Sequence, residues 1–473
     1  MIARRLPFVV VGAALVTLLF ADRAAPEPLP PSTYGEDPLA QSTPAVFDGD
    51  LLSTSWFCPG GPTADGRSTS LTIFNSTNDP REVTVSAVND AGNRNSTPLT
   101  LPPRNRAVVN LGDLAPGAQT SATVAVYGGG VAVEQTVVGR TGVSTSPCAD
   151  RASSNWYLAD GTTTADASLT LVLYNPFPDD AVVDVSLTTV ERTLQPPSLQ
   201  AAVIPGQSVR IVDLGQQAQR EEVVSTSVKG RGSRLVVGRI QSADNPARHG
   251  FTAGLAASQA QQTWWLPDGD KGDGISERLV VFNPGELEAS VELSFLPAAG
   301  SGPAQSNVVV PPSSFSVVDV NALAEVPAGP HSVLVNVVGD QTPVVVERVL
   351  TRPLDNAPAT TVLLGSQITV PSWYVIEPSV TPGGVLVVMN SAGIPTTAAI
   401  KAIGPAGAVA VPGLEEVPVP AGGSVTVTLP DNVGPFPLMV EGGQPVVVEW
   451  RARVAAGDRA SRVDALAFPI LGG

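Results

Sequence analysis

The sequence predicts an all-β protein built from four tandem antiparallel β-sandwich repeats. Three observations support this fold class. Short Val-rich runs alternate with 45 Gly and 45 Pro residues, which is typical of many brief strands separated by turns. After the N-terminal segment, no stretch has a convincing helical periodicity. A pair of adjacent aromatic residues recurs four times at intervals of roughly 100 residues, which is the size of one sandwich domain.

Residues 1–25 predict export. Arg4 and Arg5 precede the apolar run 6–21, in the order of the charged and apolar regions of a signal sequence. The run is slightly shorter than the ~20 residues of a full membrane span, and no small-x-small cleavage site follows it. We therefore favour an uncleaved N-terminal anchor helix, with a cleaved signal peptide as the alternative. Residues 26–48 are rich in Pro and predict an extended linker that lifts the repeats off the membrane.

The aromatic pairs define the four repeats. They are Trp56 and Phe57, Trp156 and Tyr157, Trp264 and Trp265, and Trp373 and Tyr374. The predicted repeat boundaries are 49–152, 153–260, 261–368 and 369–473. Their size and short strands predict immunoglobulin-like sandwiches. Because side chains alternate along a strand, the two rings of a pair point to opposite faces. We expect one ring in the core of its own sandwich, while the other faces solvent or the neighbouring repeat; the short connections favour the junction.

Other landmarks recur in the same order. An apolar strand ends at an Asn, and a later strand begins after a Pro; these positions are Asn75, Asn175, Asn283 and Asn390, then Pro102, Pro205, Pro311 and Pro420. A Val-rich strand follows, and it carries Glu134, Glu347 or Glu449 in three repeats and Gly238 in the second. A glycosidase needs two carboxylates across one bond, whereas these occur once per repeat. We therefore expect structural glutamates whose hydrogen bonds close the sandwich.

The sequence predicts no catalytic, cofactor-binding or metal site. It contains no hydrolase elbow, zinc-binding His-Glu-x-x-His or phosphate-binding glycine loop. The two histidines, His249 and His331, are isolated in the sequence, so we expect neither to be catalytic. The protein is therefore predicted not to be an enzyme and to use no cofactor.

One acidic segment invites comparison with a calcium loop. It contains Asp268, Asp270, Asp273 and Glu277. An EF-hand needs oxygen ligands at its first, third and fifth positions, and counting from Asp268 the fifth position is Gly272. We expect an acidic, solvated hairpin, and calcium binding at 268–277 stays open.

The two cysteines predict a disulfide. Cys58 and Cys148 are the only cysteines, they flank repeat 1, and the N-terminal segment sends both to an oxidising compartment. The alternative is a pair of buried reduced thiols.

The chain resembles a family of exported actinobacterial proteins known only as a domain of unknown function (the 5719 type). The resemblance rests on WFCPG near Trp56, SPCA at 146–149, the Asn-Pro strand ends and the Val-Val-Glu-Arg block. It covers nearly everything after the linker. Repeats 2 and 4 depart from the pattern at Gly238 and in the shortened spacing from Trp373 to Asn390. The family has no established activity, so the resemblance implies location and architecture only.

Composition narrows the function. The net charge of −16 argues against nucleic-acid binding, which needs a basic surface. Aromatic residues make up only 5% of the chain, and Trp450 alone lies outside the pairs, so an aromatic platform for sugars is not indicated. We expect a membrane-tethered scaffold or interaction protein of the cell envelope, with an envelope or membrane protein as its partner. The alternative is a protein that binds envelope polysaccharide or assists a membrane glycosyltransferase.

Overall fold

The computed structural model describes most of the chain after the linker. The described ranges are 43–47, 49–246, 248–298, 303–339, 342–355, 357–377, 384–434, 436–456 and 459–471. The predicted anchor helix and nearly all of the linker lie outside these ranges. The described residues all belong to one compact unit, Ser42–Gly473. No helix among the described residues is long and apolar enough to cross a membrane.

The described residues form strands joined by turns and five short 3-10 helices. Repeat 1 follows strand β1 (Val46–Phe47) and contains β2 (Ser53–Gly61), β3 (Ser68–Asn75), β4 (Arg81–Asn89), β5 (Arg94–Leu101), β6 (Asn105–Asn110), β7 (Thr120–Tyr127), β8 (Val131–Val138) and β9 (Val143–Pro147). Repeat 2 contains β10 (Asn155–Leu158), β11 (Ala167–Asn175), β12 (Ala181–Thr188), β13 (Thr193–Leu194), β14 (Ala202–Ile204), β15 (Ser208–Asp213), β16 (Ser225–Gly230), β17 (Val236–Asp244) and β18 (His249–Leu255).

The second half of the chain follows the same order. Repeat 3 contains β19 (Thr263–Lys271), β20 (Ser276–Asn283), β21 (Ala289–Pro297), β22 (Ala304–Val310), β23 (Ser314–Asp319), β24 (Gly329–Val337), β25 (Val345–Leu354) and β26 (Ala357–Leu364). Repeat 4 contains β27 (Val370–Val375), β28 (Val385–Asn390), β29 (Thr396–Gly404), β30 (Gly407–Ala410), β31 (Val417–Val419), β32 (Gly423–Thr428), β33 (Leu438–Ala456), β34 (Arg459–Leu466) and β35 (Phe468–Leu471). The 3-10 helices are Leu111–Asp113, Pro197–Leu199, Leu214–Gln216, Val320–Ala322 and Asp431–Val433.

Each repeat is a sandwich of two antiparallel sheets. We call them the flanking sheet, which holds the aromatic pair, and the axial sheet. In repeat 1 the flanking sheet has the order β2-β7-β4-β5 and the axial sheet the order β6-β3-β8-β9. Repeats 2 and 3 have the axial orders β15-β11-β17-β18 and β23-β20-β25-β26. In repeat 4 the long strand β33 belongs to both sheets, because it pairs first with β27 and β29 and then with β28 and β34.

A buried asparagine connects the two halves of each sandwich. The Asn175 side chain is fully buried, and its Nδ2 donates to the carbonyl of Asp179 at 2.8 Å, of Ile204 at 3.1 Å and of Pro205 at 3.2 Å. Asn75, Asn283 and Asn390 make the corresponding bonds to a carbonyl four residues ahead and to the carbonyl of the distant Pro. These bonds satisfy carbonyls that the end of a strand would otherwise leave unpaired. The recurring Asn and Pro of the sequence therefore contact each other: in each repeat the Asn side chain donates to the carbonyl of the Pro.

The four repeats form a closed cycle of contacts. The innermost strands of the axial sheets are β9, β18, β26 and β34, which we call the axial strands. Strand β9 contacts both β18 and β34, and β26 contacts the same two strands. Strand β1 also pairs in parallel with β35, with Val46 opposite Ile470 and Phe47 opposite Leu471. Repeat 4 thus returns to repeat 1, an arrangement that the order of the repeats alone leaves undetermined.

Candidate functional site: the junctions between repeats

The first tryptophan of each pair lies in its own sandwich. Trp56, Trp156, Trp264 and Trp373 are at most 2% exposed. The indole Nε1 of Trp156 donates to the carbonyl of Leu235 at 2.9 Å, and that of Trp264 donates to Val344 at 2.9 Å. Both acceptors lie at the start of the Val-rich strand, so each indole fixes the spacing between its two sheets.

The second aromatic residue of each pair packs into the next repeat. The Tyr157 ring lies 6.5 Å from the Phe282 ring of repeat 3, and the Phe57 ring lies 6.1 Å from Phe177 of repeat 2. Trp265 packs against the core of repeat 4. At the last junction, the rings of Tyr374 and Phe74 of repeat 1 are 5.6 Å apart. Each of the four successive junctions, 1–2, 2–3, 3–4 and 4–1, therefore contains the second ring of one pair.

A buried charge network joins repeats 2 and 3. Asp160, four residues after Trp156, receives two hydrogen bonds from Arg248, of 2.7 and 2.8 Å. Glu347 of repeat 3 accepts from the Asp160 backbone N–H at 2.6 Å and from Arg239 at 2.9 Å. Burial alone would raise the pKa of Asp160, but the charge and hydrogen bonds of Arg248 hold it below its usual value. Burial raises the pKa of Glu347, and Arg239 opposes that rise only in part.

The junction between repeats 3 and 4 repeats this plan. Asp268 replaces Asp160, Glu449 replaces Glu347, and Arg348 replaces Arg239; Arg348 donates to Glu449. The Asp268 backbone N–H donates to Glu449 at 3.2 Å, and Arg352 donates to the Asp268 carboxylate at 2.8 Å. Burial raises the pKa of Glu449 to about 7, although the charge of Arg348 lowers it.

An additional acid, Asp464, completes a three-carboxylate cluster in this junction. One oxygen of each of Asp268, Glu449 and Asp464 lies within 4.8 Å of the others. Arg451 donates to Asp268, and Arg462 donates to Asp464 at 2.8 Å. Together with Arg348 and Arg352, they bring four guanidinium groups against the four carboxylates of Asp268, Asp270, Glu449 and Asp464, so the cluster is a salt-bridge network.

The junction between repeats 1 and 2 has lost both acids and the arginine. Gly60 stands at the position of Asp160, Gly238 at that of Glu347, and Gln135 at that of Arg239. The Gln135 side chain instead accepts from the Gly60 backbone N–H at 2.8 Å. A Cβ on Gly238 would lie 2.7 Å from the Pro59 side chain, so close packing replaces charge here.

The junction between repeats 4 and 1 keeps the acids without the arginine. Glu377 stands at the Asp160 position, Glu134 at the Glu347 position, and the arginine is replaced by Trp450. Glu134 is 1% exposed, and neither of its carboxylate oxygens has a hydrogen-bond partner. Burial and the neighbouring charge of Glu377 raise the pKa of Glu134 well above its usual value, while Arg106 lowers it.

Two sequence-based expectations are wrong. The acidic segment is solvated at its turn, where Asp273 is exposed, but not at its ends, because Asp268 is 2% exposed and Glu277 is fully buried, with the latter 3.1 Å from His331. The glutamates Glu347 and Glu449 do not close their own sandwich, because their hydrogen bonds cross to the preceding repeat. In both cases the sequence shows the acidic residues but not their partners, which lie far away in sequence, in the same repeat for Glu277 and in the preceding repeat for Glu347 and Glu449.

The remaining polar candidates lie in structural settings. His249 Nδ1 is 2.8 Å from Asp244 at the rim of a cavity of ≈ 340 Å³, where the hairpins of all four axial strands meet. Trp450 is 4% exposed and belongs to the repeat 4 core. The sequence analysis did not identify Arg239 and Arg348 as site residues. Alignment of the repeats contains a signal for them: each occupies the same position of its repeat, and the following repeat carries a Glu in the same strand, Glu347 or Glu449.

The disulfide is confirmed. Cys58 and Cys148 are bonded, with their Cα atoms 4.6 Å apart and a sequence separation of 90. Both are fully buried in the core of repeat 1. A disulfide of this kind forms and persists in oxidising compartments, which indicates an extracytoplasmic location.

Comparison with known proteins gives a family. A model described as "Family of unknown function (DUF5719)" matches residues 52–140 and 128–372. The chain belongs to this family. This assignment confirms the resemblance to a domain-of-unknown-function family, and the family description states no activity. No curated protein matches the chain.

Two solved structures show low similarity. One, described as the crystal structure of Thermotoga maritima 1070, has 21% identity and a TM-score of 0.21, covering 23% of this chain and 94% of its own. The other is a tetra-tandem repeat in the extending region of a large adhesion protein. It has 13% identity and a TM-score of 0.12, covering 89% of this chain and 99% of its own.

Proposed function

We propose that the protein is a non-enzymatic scaffold or interaction protein of the cell envelope, tethered to the membrane by its N-terminal segment. Four immunoglobulin-like sandwiches, held in a closed cycle by their junctions, present their outer edge strands to an envelope or membrane protein. The observation that supports this proposal is the recurrence of exposed aliphatic side chains on those edges.

The edge strands lie opposite the axial strands. In the axial sheets these edges are β6, β15, β23 and β32, whose second side has no pairing strand among the described residues. Such an edge can accept a further strand from a partner. Equivalent positions on three of them carry Val108, Ile211 and Val317, which are 61%, 40% and 40% exposed. Val203 and Val309, on the strands that precede β15 and β23, are also about half exposed.

The exposed side chains favour a protein partner over a polysaccharide. Sugar-binding surfaces stack rings on exposed aromatic side chains, whereas five of the six tryptophans here are buried, Trp265 is only partly accessible, and among the described residues only Tyr127 and Phe436 present exposed rings. The repeated exposed positions are aliphatic and β-branched, as on strands that pair with another chain.

The start of the described chain lies beside the axial strands. Thr43 accepts a hydrogen bond from the Gln367 backbone N–H at 3.0 Å, and the Ala45 N–H donates to Asp150 at 3.0 Å. Thr43 and Pro44 line a small cavity with the C-terminal halves of the four axial strands. A tether that continues from this point therefore begins beside the axis and away from the edge strands.

The test is site-specific photocrosslinking in intact cells. A photoreactive residue at Ile211 or Val317 should give a protein adduct, and the same residue at Ala357, an exposed position at the start of axial strand β26 and on the opposite side of the sheet from β23, is the control. Adducts at the edge positions alone would support the proposal. No adduct at either edge, together with retention of the protein on purified cell-wall glycan, would favour the polysaccharide-binding alternative.

Location is tested separately. Protease added to cells stripped of their wall should digest the repeats, because the tether places them outside the cytoplasm. Complete protection in cells with an intact membrane would contradict the proposed topology.

A further inference from the structure

We propose that the junction between repeats 4 and 1 binds one divalent metal ion, of the Ca²⁺ class, between the carboxylates of Glu134 and Glu377. The ion takes the place that an arginine guanidinium has in junctions 2–3 and 3–4. It would join the last repeat to the first at the point where the chain itself provides no continuous connection.

The four junctions differ in the charges at equivalent positions. In junctions 2–3 and 3–4 the glutamate of the Val-rich strand meets an arginine from the preceding repeat, Arg239 or Arg348. In junction 1–2 the glutamate and the arginine are both absent, with Gly238 and Gln135 in their places. In these three junctions the glutamate and the arginine are therefore either both present or both absent. Junction 4–1 alone keeps the acids and replaces the arginine by the neutral Trp450.

The environment of Glu134 is unfavourable for a carboxylate. Its carboxylate is buried and both oxygens lack a hydrogen-bond partner. A buried carboxylate without a partner is costly, so such groups are normally paired or bound to a metal. The carboxylate of Glu377, held on the same face of the sheet by Thr72 and Thr136, adds a second negative charge to the site.

Repeats 1 and 4 both contribute oxygen atoms to the site. Thr72 lies directly opposite Glu134 on the neighbouring strand, and Thr136 follows Glu134 by two residues, so all three side chains are on one face of the axial sheet. Glu377 of repeat 4 covers that face, because its Oε2 accepts from Thr72 at 2.9 Å and from Thr136 at 3.3 Å. Two carboxylates and two hydroxyls are oxygen ligands of the kind that hard cations such as Ca²⁺ prefer.

The nearby arginine does not fill this role. Arg106 is partly exposed, and its Nη1 donates to the backbone carbonyl of Ile376 at 2.8 Å. No hydrogen bond joins it to Glu134, whose oxygens are both unpartnered. It reduces the negative charge of the site without supplying a ligand.

The test is calcium titration of the full-length protein after treatment with EDTA, by calorimetry and thermal unfolding. We expect one Ca²⁺ per chain with a Kd on the order of 10⁻⁴–10⁻³ M, as in extracellular modules, and a rise in Tm of about 2–4 °C at saturation. Glu134→Gln and Glu377→Gln should each weaken binding at least about tenfold and abolish the Tm rise. The matched control is Glu347→Gln at the equivalent position of repeat 3, which should keep the calcium response.

Each alternative outcome overturns the proposal in a recognisable way. A calcium response that persists in both Glu134→Gln and Glu377→Gln would place the ion elsewhere. No calcium binding by the unmodified protein would exclude the site. If, in addition, that protein loses stability as the pH rises from about 5 to about 8 while Glu134→Gln does not, the occupant is a proton on Glu134.

Discussion

At the residue scale, each aromatic pair holds two structures together. Alternation along the strand turns Trp156 into the core of repeat 2 and Tyr157 toward repeat 3. One dipeptide thus contributes to the stability of its own sandwich and to the junction with the next. Asp160, four residues after Trp156, also has two roles. Its carboxylate accepts hydrogen bonds from Arg248 of its own repeat, and its backbone N–H donates to Glu347 of the next.

Removing the two rings should have different consequences. Trp156→Ala empties a fully enclosed site and also removes the hydrogen bond to Leu235, so we expect a loss of about 3–5 kcal/mol in the free energy of unfolding. Tyr157→Ala removes a partly exposed ring and should cost clearly less. Chemical denaturation of each variant measures both values. Equal losses would show that the two rings are equally buried and that the two-face arrangement is wrong.

The buried aspartate predicts a pH effect. The folded-state pKa of Asp160 lies below its ordinary value of 3.8, so its pairing with Arg248 contributes stability at higher pH that is lost as the pH falls through that depressed pKa. Asp160→Asn should destabilise the protein at pH 7 by about 3–5 kcal/mol, because it leaves a buried arginine uncompensated. It should also lose less further stability than the unmodified protein on acidification below about pH 4. Parallel acid-unfolding curves for the two proteins would contradict this.

At the element scale, the buried asparagines fix where strands end. Asn175 holds the turn after β11 against the carbonyls of Ile204 and Pro205 before β15. The same contact recurs in all four repeats, so it defines the register of the two strands that it joins.

Asn175→Ala should therefore leave buried carbonyls unpaired and cost about 1–3 kcal/mol. The exposed Asn155→Ala is the control and should change stability by less than about 0.5 kcal/mol. Thermal or urea unfolding compares the two. A loss no greater than that of the control would show that water replaces the amide and that the contact is not structural.

The strands also show which features of the fold can be predicted from the sequence and which cannot. Alternation and turn residues are local, so the sequence indicates the strands, the aromatic pairs and the all-β class. The cysteines of an exported chain could also be paired, because Cys58 and Cys148 have no competitors. The partner of Glu347 could not be predicted, because Arg239 lies 108 residues away and in another repeat. A Val-rich strand with one Glu and one Arg looks the same whether those side chains close a sandwich or join two.

At the scale of the whole molecule, closure of the cycle determines which surfaces are free. Trp56 of repeat 1 and Phe468 near the C-terminus have ring centroids 5.8 Å apart, so the ends of the repeat array are packed together. The axial strands are then covered by one another, whereas outer edge strands keep exposed side chains at Val108, Ile211 and Val317. The proposed scaffold function depends on this arrangement, because an open array would expose the axial strands as well.

The most direct test of closure is an engineered disulfide between repeats 1 and 4. A Cβ on Gly142 would lie 2.7 Å from Ser461 Oγ, and that hydroxyl accepts from the Val143 N–H at 3.0 Å. In the double variant Gly142→Cys, Ser461→Cys, the account predicts a second intramolecular disulfide, detected by mass spectrometry of a non-reduced digest of the monomeric protein. Two free, alkylatable thiols at 142 and 461, with the Cys58–Cys148 bond intact, would contradict the closed cycle.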